Sequence, residues 1–382
     1  MKTIWSHDEI LKLSPVSRRS FLAGSTAIAG GLLSGPLFPS TAQAKASGDL
    51  QIFAWEGWEL TDELADWRQA NGVNVEVTAM GNQDDVTNKF NTPNPPPFDA
   101  AEYNQGYADL YIDVIKITKP LDVSRIPNYN KDDIFDPFYE KPTWYRNGQH
   151  HGIAYAWGLN SLVYNPKLME KPTSYTDLLK PELKGKIAIA DDTLATWPLA
   201  ATLAGLGAKF PNLTKDEMKT TFDNLKLYRD QARLVSPTYG DIVSLMVSGE
   251  IAACFIGWTG IPTETAKQGV TTEYTIPKEG ATTWCDAWFM PKNVDNEETA
   301  YEFINMAISP EVQAKLMPRN AAGTVNKKAV DLMPPEGKAL FDYANIDEVF
   351  KAAPLLGIPP LESTEFATYA DWVAAWNEFK AA

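Results

Sequence analysis

The chain has 382 residues, of which 49 are acidic and 34 are basic, so its formal net charge at pH 7 is −15. A chain this acidic, with no run of lysines or arginines, has no electrostatic footprint for nucleic acid or an anionic lipid surface. Its 2 cysteines and 3 histidines form no spacing typical of a disulfide framework, a metal site or an iron–sulfur cluster, so we expect no cofactor.

The first 44 residues have the order of an export signal. The pair Arg18 and Arg19 precedes a small and apolar run over 23–37, and A-Q-A at 42–44 follows as a cleavage site. Paired arginines before a weakly hydrophobic segment indicate the twin-arginine route. We therefore expect residues 1–44 to be a twin-arginine signal peptide and the mature chain to be a soluble periplasmic protein.

Beyond the signal, short apolar strands alternate with helices, which is typical of an α/β protein, and the remaining length exceeds one ordinary core. We therefore expect two domains. The predicted strands are 50–54, 73–79, 98–102, 186–190 and 251–256. The predicted helices are 61–71, 107–117, 193–207, 214–232, 241–248, 296–308 and 363–380.

Motifs for enzymatic chemistry are weak in this sequence. The pair Gly205 and Gly207 lies within a predicted helix and lacks the spacing of a phosphate-binding loop, and no G-x-S-x-G elbow occurs. Carboxylates are plentiful, so an exported hydrolase or lyase that uses carboxylates stays open as an alternative. An iron(III) receptor is a second alternative, but such receptors typically use adjacent tyrosines, and this sequence has no Tyr-Tyr pair.

The segment W-C-D-A-W at 284–288 is the strongest candidate for a binding site. In an extended strand, Trp284, Asp286 and Trp288 point to the same side, because side chains alternate with a period of two. Aromatic faces beside a carboxylate attract a cation, so the segment suggests a receptor for an amine. The alternative is a strand at the edge of the core, since alternating tryptophans commonly pack.

Seven segments in this order resemble the periplasmic spermidine/putrescine-binding proteins, which are the solute receptors of polyamine ABC importers. They are A-W-E-G-W-E at 54–59, G-I-A-Y-A-W-G-L-N-S-L-V-Y-N at 152–165, P-E-L-K-G-K-I-A-I-A-D-D at 181–192, G-E-I-A-A-C-F-I-G-W at 249–258, Y-T-I-P-K-E-G at 274–280, W-C-D-A-W-F-M-P-K at 284–292 and A-Y-E-F-I-N at 300–305. The likeness covers nearly all of the mature chain.

The resemblance implies an α/β, two-lobed periplasmic-binding-protein fold with a ligand cleft between the lobes and several hinge crossings. Lobe 1 is expected to consist of 45–157 and 287–326, and lobe 2 of 158–286 and 327–382. The implied partners are a small-molecule amine ligand and the permease and ATPase subunits of an ABC importer in the inner membrane. The receptor is expected to be a monomer and not an enzyme.

The resemblance also implies which residues bind the ligand, because small-ligand pockets normally lie between domains. The first-loop aromatics correspond to Trp55 and Trp58, the strand-end aspartate to Asp192, and the crossing pair to Trp284 and Asp286. For Asp192 a helix cap is an equally good interpretation. A tryptophan expected at position 257 is displaced by one, to Trp258.

Other positions depart from the pattern of the polyamine receptors. A second acid is replaced by Ala195, an aromatic by Ala322, and a serine and a tyrosine by Asn104 and Gly106. With one acid–aromatic site retained, a zwitterion such as gamma-aminobutyrate competes with a diamine as the ligand. A zwitterion requires an arginine for its anionic end. The candidates are Arg229, Arg233 and Arg319, of which we include Arg233 in the predicted site.

Overall fold

The computed structural model describes residues 46–81 and 83–382, so the predicted signal peptide lies outside the described residues. Two hydrophobic cores organise the described chain. Buried residues from 46–157 and 285–358 form the first core, and buried residues from 162–261 and 367–379 form the second. This agrees with the α/β, two-lobed architecture expected from the sequence.

Twelve strands and twelve helices make up the described part of the chain. The elements up to the first crossing are β1 Gly48–Trp55, α1 Ala65–Asn71, β2 Val73–Met80, α2 Gln83–Phe90, β3 Ala100–Asn104, β4 Tyr145–Arg146, β5 Gln149–His150 and β6 Ile153–Tyr164. The next elements are β7 Ile187–Ala190, α3 Thr193–Leu203, α4 Lys215–Gln231, β8 Ala232–Ser236, α5 Tyr239–Ser248, β9 Ala253–Trp258, α6 Ile261–Lys267 and β10 Glu273–Thr275. The last elements are β11 Thr282–Phe289, α7 Glu297–Ala307, α8 Pro310–Arg319, β12 Gly323–Thr324, α9 Lys327–Leu332, α10 Pro335–Lys338, α11 Ile346–Ala352 and α12 Tyr369–Ala381.

One continuous sheet connects the two cores, with the strand order β2-β1-β3-β11-β6-β9-β7-β8, and β10 and β12 also pair with β6. In the first core β1 is parallel to β2 and β3, and in the second core β7 is parallel to β8 and β9. Between them, β11 is antiparallel to β3 and β6. Parallel neighbours joined through helices are typical of α/β units.

The predicted crossings at 155–159 and 284–288 are strands β6 and β11, which lie side by side at the centre of the sheet. The third crossing comes later than predicted. The sequence placed the return to lobe 2 at residue 327, but the chain stays with the first core as far as Ile358. The reason is aromatic packing: the rings of Phe341 and Trp157 lie 4.5 Å apart, and Phe350 is 5.0 Å from the same ring.

Most predicted elements form within a few residues of their predicted limits, and two differ more. The C-terminal helix was predicted from residue 363 but begins at Tyr369, because Thr368 and Asp371 form a capping box. The helix predicted over 107–117 is replaced by a 3-10 turn at Gln105–Tyr107 and a π-helical segment at Asp109–Val114.

Both cysteines are buried and free, with Cys254 in the second core and Cys285 in the first. Burial raises the pKa of Cys254 to about 12, so its thiol is protonated and packs as a small apolar side chain. Within residues 46–81 and 83–382, no helix combines the length and apolar character needed to cross a membrane.

Candidate functional site

The candidate ligand residues lie where strands of both cores end. Trp55 is the last residue of β1, Trp258 is the last residue of β9, and Asp192 follows β7 by two residues. In α/β sheets, side chains at the carboxyl ends of parallel strands converge on the crevice where ligands bind. Trp284 and Asp286 join this group from the central strand β11.

Three aromatic rings form one contiguous wall beside β11. The Trp58 ring meets the Trp284 ring edge to face at a centroid distance of 6.1 Å, and it meets the Tyr155 ring in the same way at 5.7 Å. A tight turn at Gly57, where φ is 85°, brings Trp58 back over the end of β1. Trp284 in turn lies against Gly158, because a Cβ atom there would come within 2.6 Å of the indole. The structure therefore brings Trp58 and Trp284 together, as the sequence predicted.

Asp286 is buried at this wall, with 6% of its surface exposed. Its Oδ1 accepts a hydrogen bond of 2.9 Å from Asn104 Nδ2, which belongs to the neighbouring strand β3. Burial raises the pKa of Asp286 to about 7, the Asn104 hydrogen bond opposes that shift, and the charge of Asp192 adds to it. A carboxyl group with this pKa is poised to ionise when a cation approaches.

Asp192 caps a helix, which is one of the two interpretations that the sequence left open. Its side chain caps α3 by accepting a hydrogen bond of 3.2 Å from the backbone amide of Ala195. Its second oxygen accepts a hydrogen bond of 2.8 Å from the Tyr239 hydroxyl. Burial raises the pKa of Asp192. Asp192 follows a strand of the second core, and its charge adds to the raised pKa of Asp286, so the two carboxyl groups interact electrostatically.

Trp55 and Trp258 lie at the margins of this group and are partly buried. The Trp55 ring packs against the first core, but its indole Nε1 is buried without a hydrogen-bond partner in the described chain. Trp258 packs against the second core and covers Gly260. The next residue, Thr259, donates a hydrogen bond of 2.6 Å to the carbonyl of Ala321, so this end of β9 touches the first core.

Arg233 is not brought to this group. It lies near the start of β8, and the register pairs the far end of that strand, Ser236, with Ala190 just before Asp192. Three residues of strand separate the two ends, a distance of about 10 Å. The guanidinium forms an ion pair with Glu250 instead, and half of the side chain is exposed. Its role in the sequence-based site therefore has no structural support.

The other two candidate arginines also make no described contact with Asp286. Arg319 donates a hydrogen bond of 3.1 Å to the carbonyl of Gly57 and pairs with Glu63 at 2.9 Å, so it supports the Trp55–Trp58 turn from outside. Arg229 lies in the last turn of α4. The sequence therefore anticipated an anion-binding arginine that the described contacts do not provide.

Sequence reasoning missed Glu102, Glu59 and Tyr239. Glu102 is fully buried in β3, and burial followed by the charge of Asp286 raises its pKa well above the usual range. A glutamate within the short apolar run A-A-E-Y was the signal that could have revealed it. Asn104 was read as a departure from the family pattern, whereas the structure shows it as the hydrogen-bond donor to Asp286.

Metal binding has no candidate in the described residues, where no cluster of three or more histidine, cysteine or acidic side chains could hold an ion. The acids of the site are instead surrounded by aromatic rings and amide or hydroxyl donors. Such a group suits an organic cation, which offers both hydrogen-bond donors and a charge for the ring faces.

The chain is similar to periplasmic proteins whose names specify the binding of spermidine or putrescine, which are organic cations. The spermidine/putrescine-binding periplasmic protein of Escherichia coli (strain K12) is 24% identical over 300 residues, which cover 78% of this chain and 83% of that protein. The putrescine-binding periplasmic protein SpuD of Pseudomonas aeruginosa (strain UCBPP-PA14) is 27% identical over 300 residues, covering 72% and 77% of the two chains.

Solved structures share the fold. The spermidine/putrescine ABC transporter substrate-binding protein PotD from Streptococcus pneumoniae superposes with a TM-score of 0.68 at 21% identity, covering 87% of this chain and 98% of that one. These matches are to solute-binding proteins and not to enzymes, which removes the hydrolase or lyase alternative. A family model described as bacterial extracellular solute-binding protein matches residues 64–345. Because that match spans well over half of the chain, this protein belongs to the family of bacterial extracellular solute-binding proteins.

Proposed function

We propose that this protein is the periplasmic receptor of an ABC importer and that it binds an amine-bearing small molecule of the polyamine class, such as putrescine or spermidine. The observation that carries the proposal is the buried Asp286 beside the Trp58–Trp284 wall. A buried carboxylate is costly without a counter-charge. In the described chain no lysine or arginine forms an ion pair with Asp286, so a cationic ligand is the natural partner.

The contacts of the candidate arginines favour one of the two ligand types that the sequence left open. A zwitterion such as gamma-aminobutyrate needs a cation for its carboxylate, and Arg233 is engaged with Glu250 away from the cleft. A ligand whose charges are all positive fits the acids of the two lobes better. We therefore propose a diamine or polyamine ahead of an omega-amino acid.

The twin-arginine part of the proposal rests on the paired Arg18 and Arg19 of the sequence, and the importer partners rest on the family. The receptor is exported by the twin-arginine route, acts as a monomer, and delivers its ligand to a permease that a cytoplasmic ATPase drives. The relatives whose names specify spermidine or putrescine support the polyamine class.

Isothermal titration of the exported, processed protein tests the proposal. The protein is first unfolded and refolded so that any co-purified ligand is removed, and is then titrated with putrescine, spermidine and gamma-aminobutyrate. We expect heat with at least one of the two polyamines. Asp286→Asn is expected to abolish that heat without lowering the melting temperature, because the amide keeps the shape of the side chain. If the wild-type protein gives no binding heat with any amine, the proposal is wrong.

A further inference from the structure

Glu102 is an acidic side chain that the function described so far does not use. It lies in the middle of β3, no part of its surface is exposed, and no described residue meets either carboxyl oxygen with full hydrogen-bond geometry. The Tyr155 hydroxyl and the Trp55 backbone amide are close enough to lower its pKa, against the larger effect of burial. A fully buried carboxyl group without a cationic partner is rare in folded proteins, because removing it from water has a large desolvation penalty.

The strand register directs Glu102 toward the candidate site. On the antiparallel pair β3–β11, Asn104 is opposite Asp286 and Glu102 is opposite Trp288. Opposite residues of such a pair point to the same face, and so do residues two apart along one strand. Glu102 and Asp286 therefore share one face, and the charge of Asp286 adds to the rise in the pKa of Glu102 that burial causes.

Other polar atoms around Glu102 also meet no described residue with full hydrogen-bond geometry. They are the hydroxyl of Tyr155 on β6, the indole Nε1 of Trp55 on β1 and Oε2 of Glu59 in the following loop. The charges of Asp286 and Glu59 raise the pKa of Glu102, whereas hydrogen bonding from the Tyr155 hydroxyl and the Trp55 backbone amide lowers it. No lysine or arginine among the described residues pairs with Glu102 or Glu59. The cluster thus contains several acceptors, two buried carboxyl groups and no cation.

A site with several hydrogen-bond acceptors favours a ligand head group with several hydrogen-bond donors. A primary ammonium has three donors on one tetrahedral nitrogen, whereas a guanidinium has five donors in a plane and can bridge two carboxylates. A guanidinium is also less strongly hydrated and stacks on aromatic rings, such as those of Trp58 and Trp284.

On the basis of the proposed amine receptor, we propose that Glu102 and Asp286 together hold a planar, guanidinium-type head group of the ligand. Asp286 is oriented by Asn104, and Glu102 supplies the second carboxyl group from the same lobe. The oxygens of Glu102 accept the N–H groups that Asp286 alone leaves unpaired.

Putrescine and agmatine test this inference, because the two have the same four-carbon chain and differ in one head group, ammonium against guanidinium. By isothermal titration we expect the wild-type protein to bind agmatine about tenfold or more tightly than putrescine. Glu102→Gln is expected to remove most of that preference by weakening agmatine binding more than putrescine binding. Glu76→Gln is the matched control, since Glu76 is an exposed glutamate on strand β2 of the same sheet.

The outcomes separate the inference from the proposed function. If wild-type protein binds putrescine as tightly as agmatine, or if Glu102→Gln leaves the preference unchanged, the role of Glu102 is wrong while the amine receptor stands. If neither compound nor any other amine binds, the proposed function fails as well. The comparison within the wild-type protein needs no variant, so it decides the question even if Glu102→Gln does not fold.

Discussion

Asn104 Nδ2 donates a hydrogen bond of 2.9 Å to Asp286 Oδ1 across two antiparallel strands, and both residues are buried. The same amide group accepts a hydrogen bond of 3.2 Å from the backbone of Gly106 through its oxygen. Asn104 therefore has a fixed orientation, and it holds the Asp286 carboxyl group in one position against the aromatic wall.

Replacing Asn104 tests this support of Asp286. Asn104→Ala removes the donor that opposes the burial effect, so we expect the pKa of Asp286 to rise above about 7. Affinity for a cationic ligand should fall at pH 7, and the pH at which affinity reaches half of its limit should move upward. Titration calorimetry between pH 5 and pH 9 measures both effects. An unchanged midpoint would show that the hydrogen bond does not control the ionisation of Asp286.

The raised pKa of Asp286 also predicts how the stability of the unliganded protein depends on pH. The carboxyl ionises near its ordinary pKa of 3.8 in the unfolded chain but near pH 7 in the folded one, because of burial. Between these values the folded state binds more protons, so the contribution of this group to stability falls as pH rises through the window.

Asp286→Asn should remove that contribution. We expect the melting temperature of the variant, relative to wild type, to be higher at pH 8 than at pH 5. Asp223→Asn is a suitable control, because Asp223 is exposed on α4 and pairs with Lys219 and Lys226. A difference between Asp286→Asn and wild type that stays constant across the range would contradict the raised pKa.

The two roles of Asp192 can be separated by a pair of substitutions. Asparagine caps a helix as well as aspartate does, so Asp192→Asn should preserve α3 while removing the charge. Asp192→Ala should in addition destabilise the protein by about 1 kcal/mol through loss of the cap. We expect both variants to bind a diamine more weakly, with only the alanine variant melting earlier. Full affinity in Asp192→Asn would restrict this residue to the capping role.

Gly158 sets the position of Trp284. A Cβ at this residue would lie 2.6 Å from the indole, so Gly158→Ala should push the ring out of place and destabilise the protein by about 1–3 kcal/mol. We expect ligand binding to quench tryptophan fluorescence in the wild-type protein. In Gly158→Ala we expect both this quenching and the ligand affinity to be smaller. Gly240→Ala is the control, because Gly240 lies in α5, where a Cβ would meet its nearest atom at 3.8 Å. Equal effects of the two variants would exclude a specific role for the Gly158–Trp284 contact.

The sequence was sufficient to predict the two-lobed α/β fold, since strand and helix patterns are local and the family pattern covers the chain. It also selected Trp58, Trp284 and Asp286 as candidate ligand residues, and in the structure the rings of Trp58 and Trp284 are in contact. The position of Arg233 depends on which end of β8 faces the cleft, and this is a property of the sheet that no local pattern records. The late third crossing likewise depends on contacts of Phe341 with Trp157, almost two hundred residues away in sequence.

Glu102 shows a different limit of sequence reasoning. The apolar run around Glu102 indicates that this glutamate is buried, but only the register of β3 with β11 shows that it shares a face with Asp286. Family patterns also drew attention away from it, because they direct the search to positions where relatives have ligand residues. Glu102 lies at a position that is not among the ligand positions of the family pattern.

Strand β6 runs without interruption from the first core into the second, and it pairs with β11 on one side and β9 on the other. The two lobes are therefore joined by paired strands of one sheet. A change in the angle between the lobes requires the shared strands to bend, and the ladder is locally disrupted at Asp286–Ala287 in β11 and at Ser161–Val163 in β6. One of these irregularities adjoins Asp286 itself, so under the proposed function the ligand binds next to a break in the shared ladder.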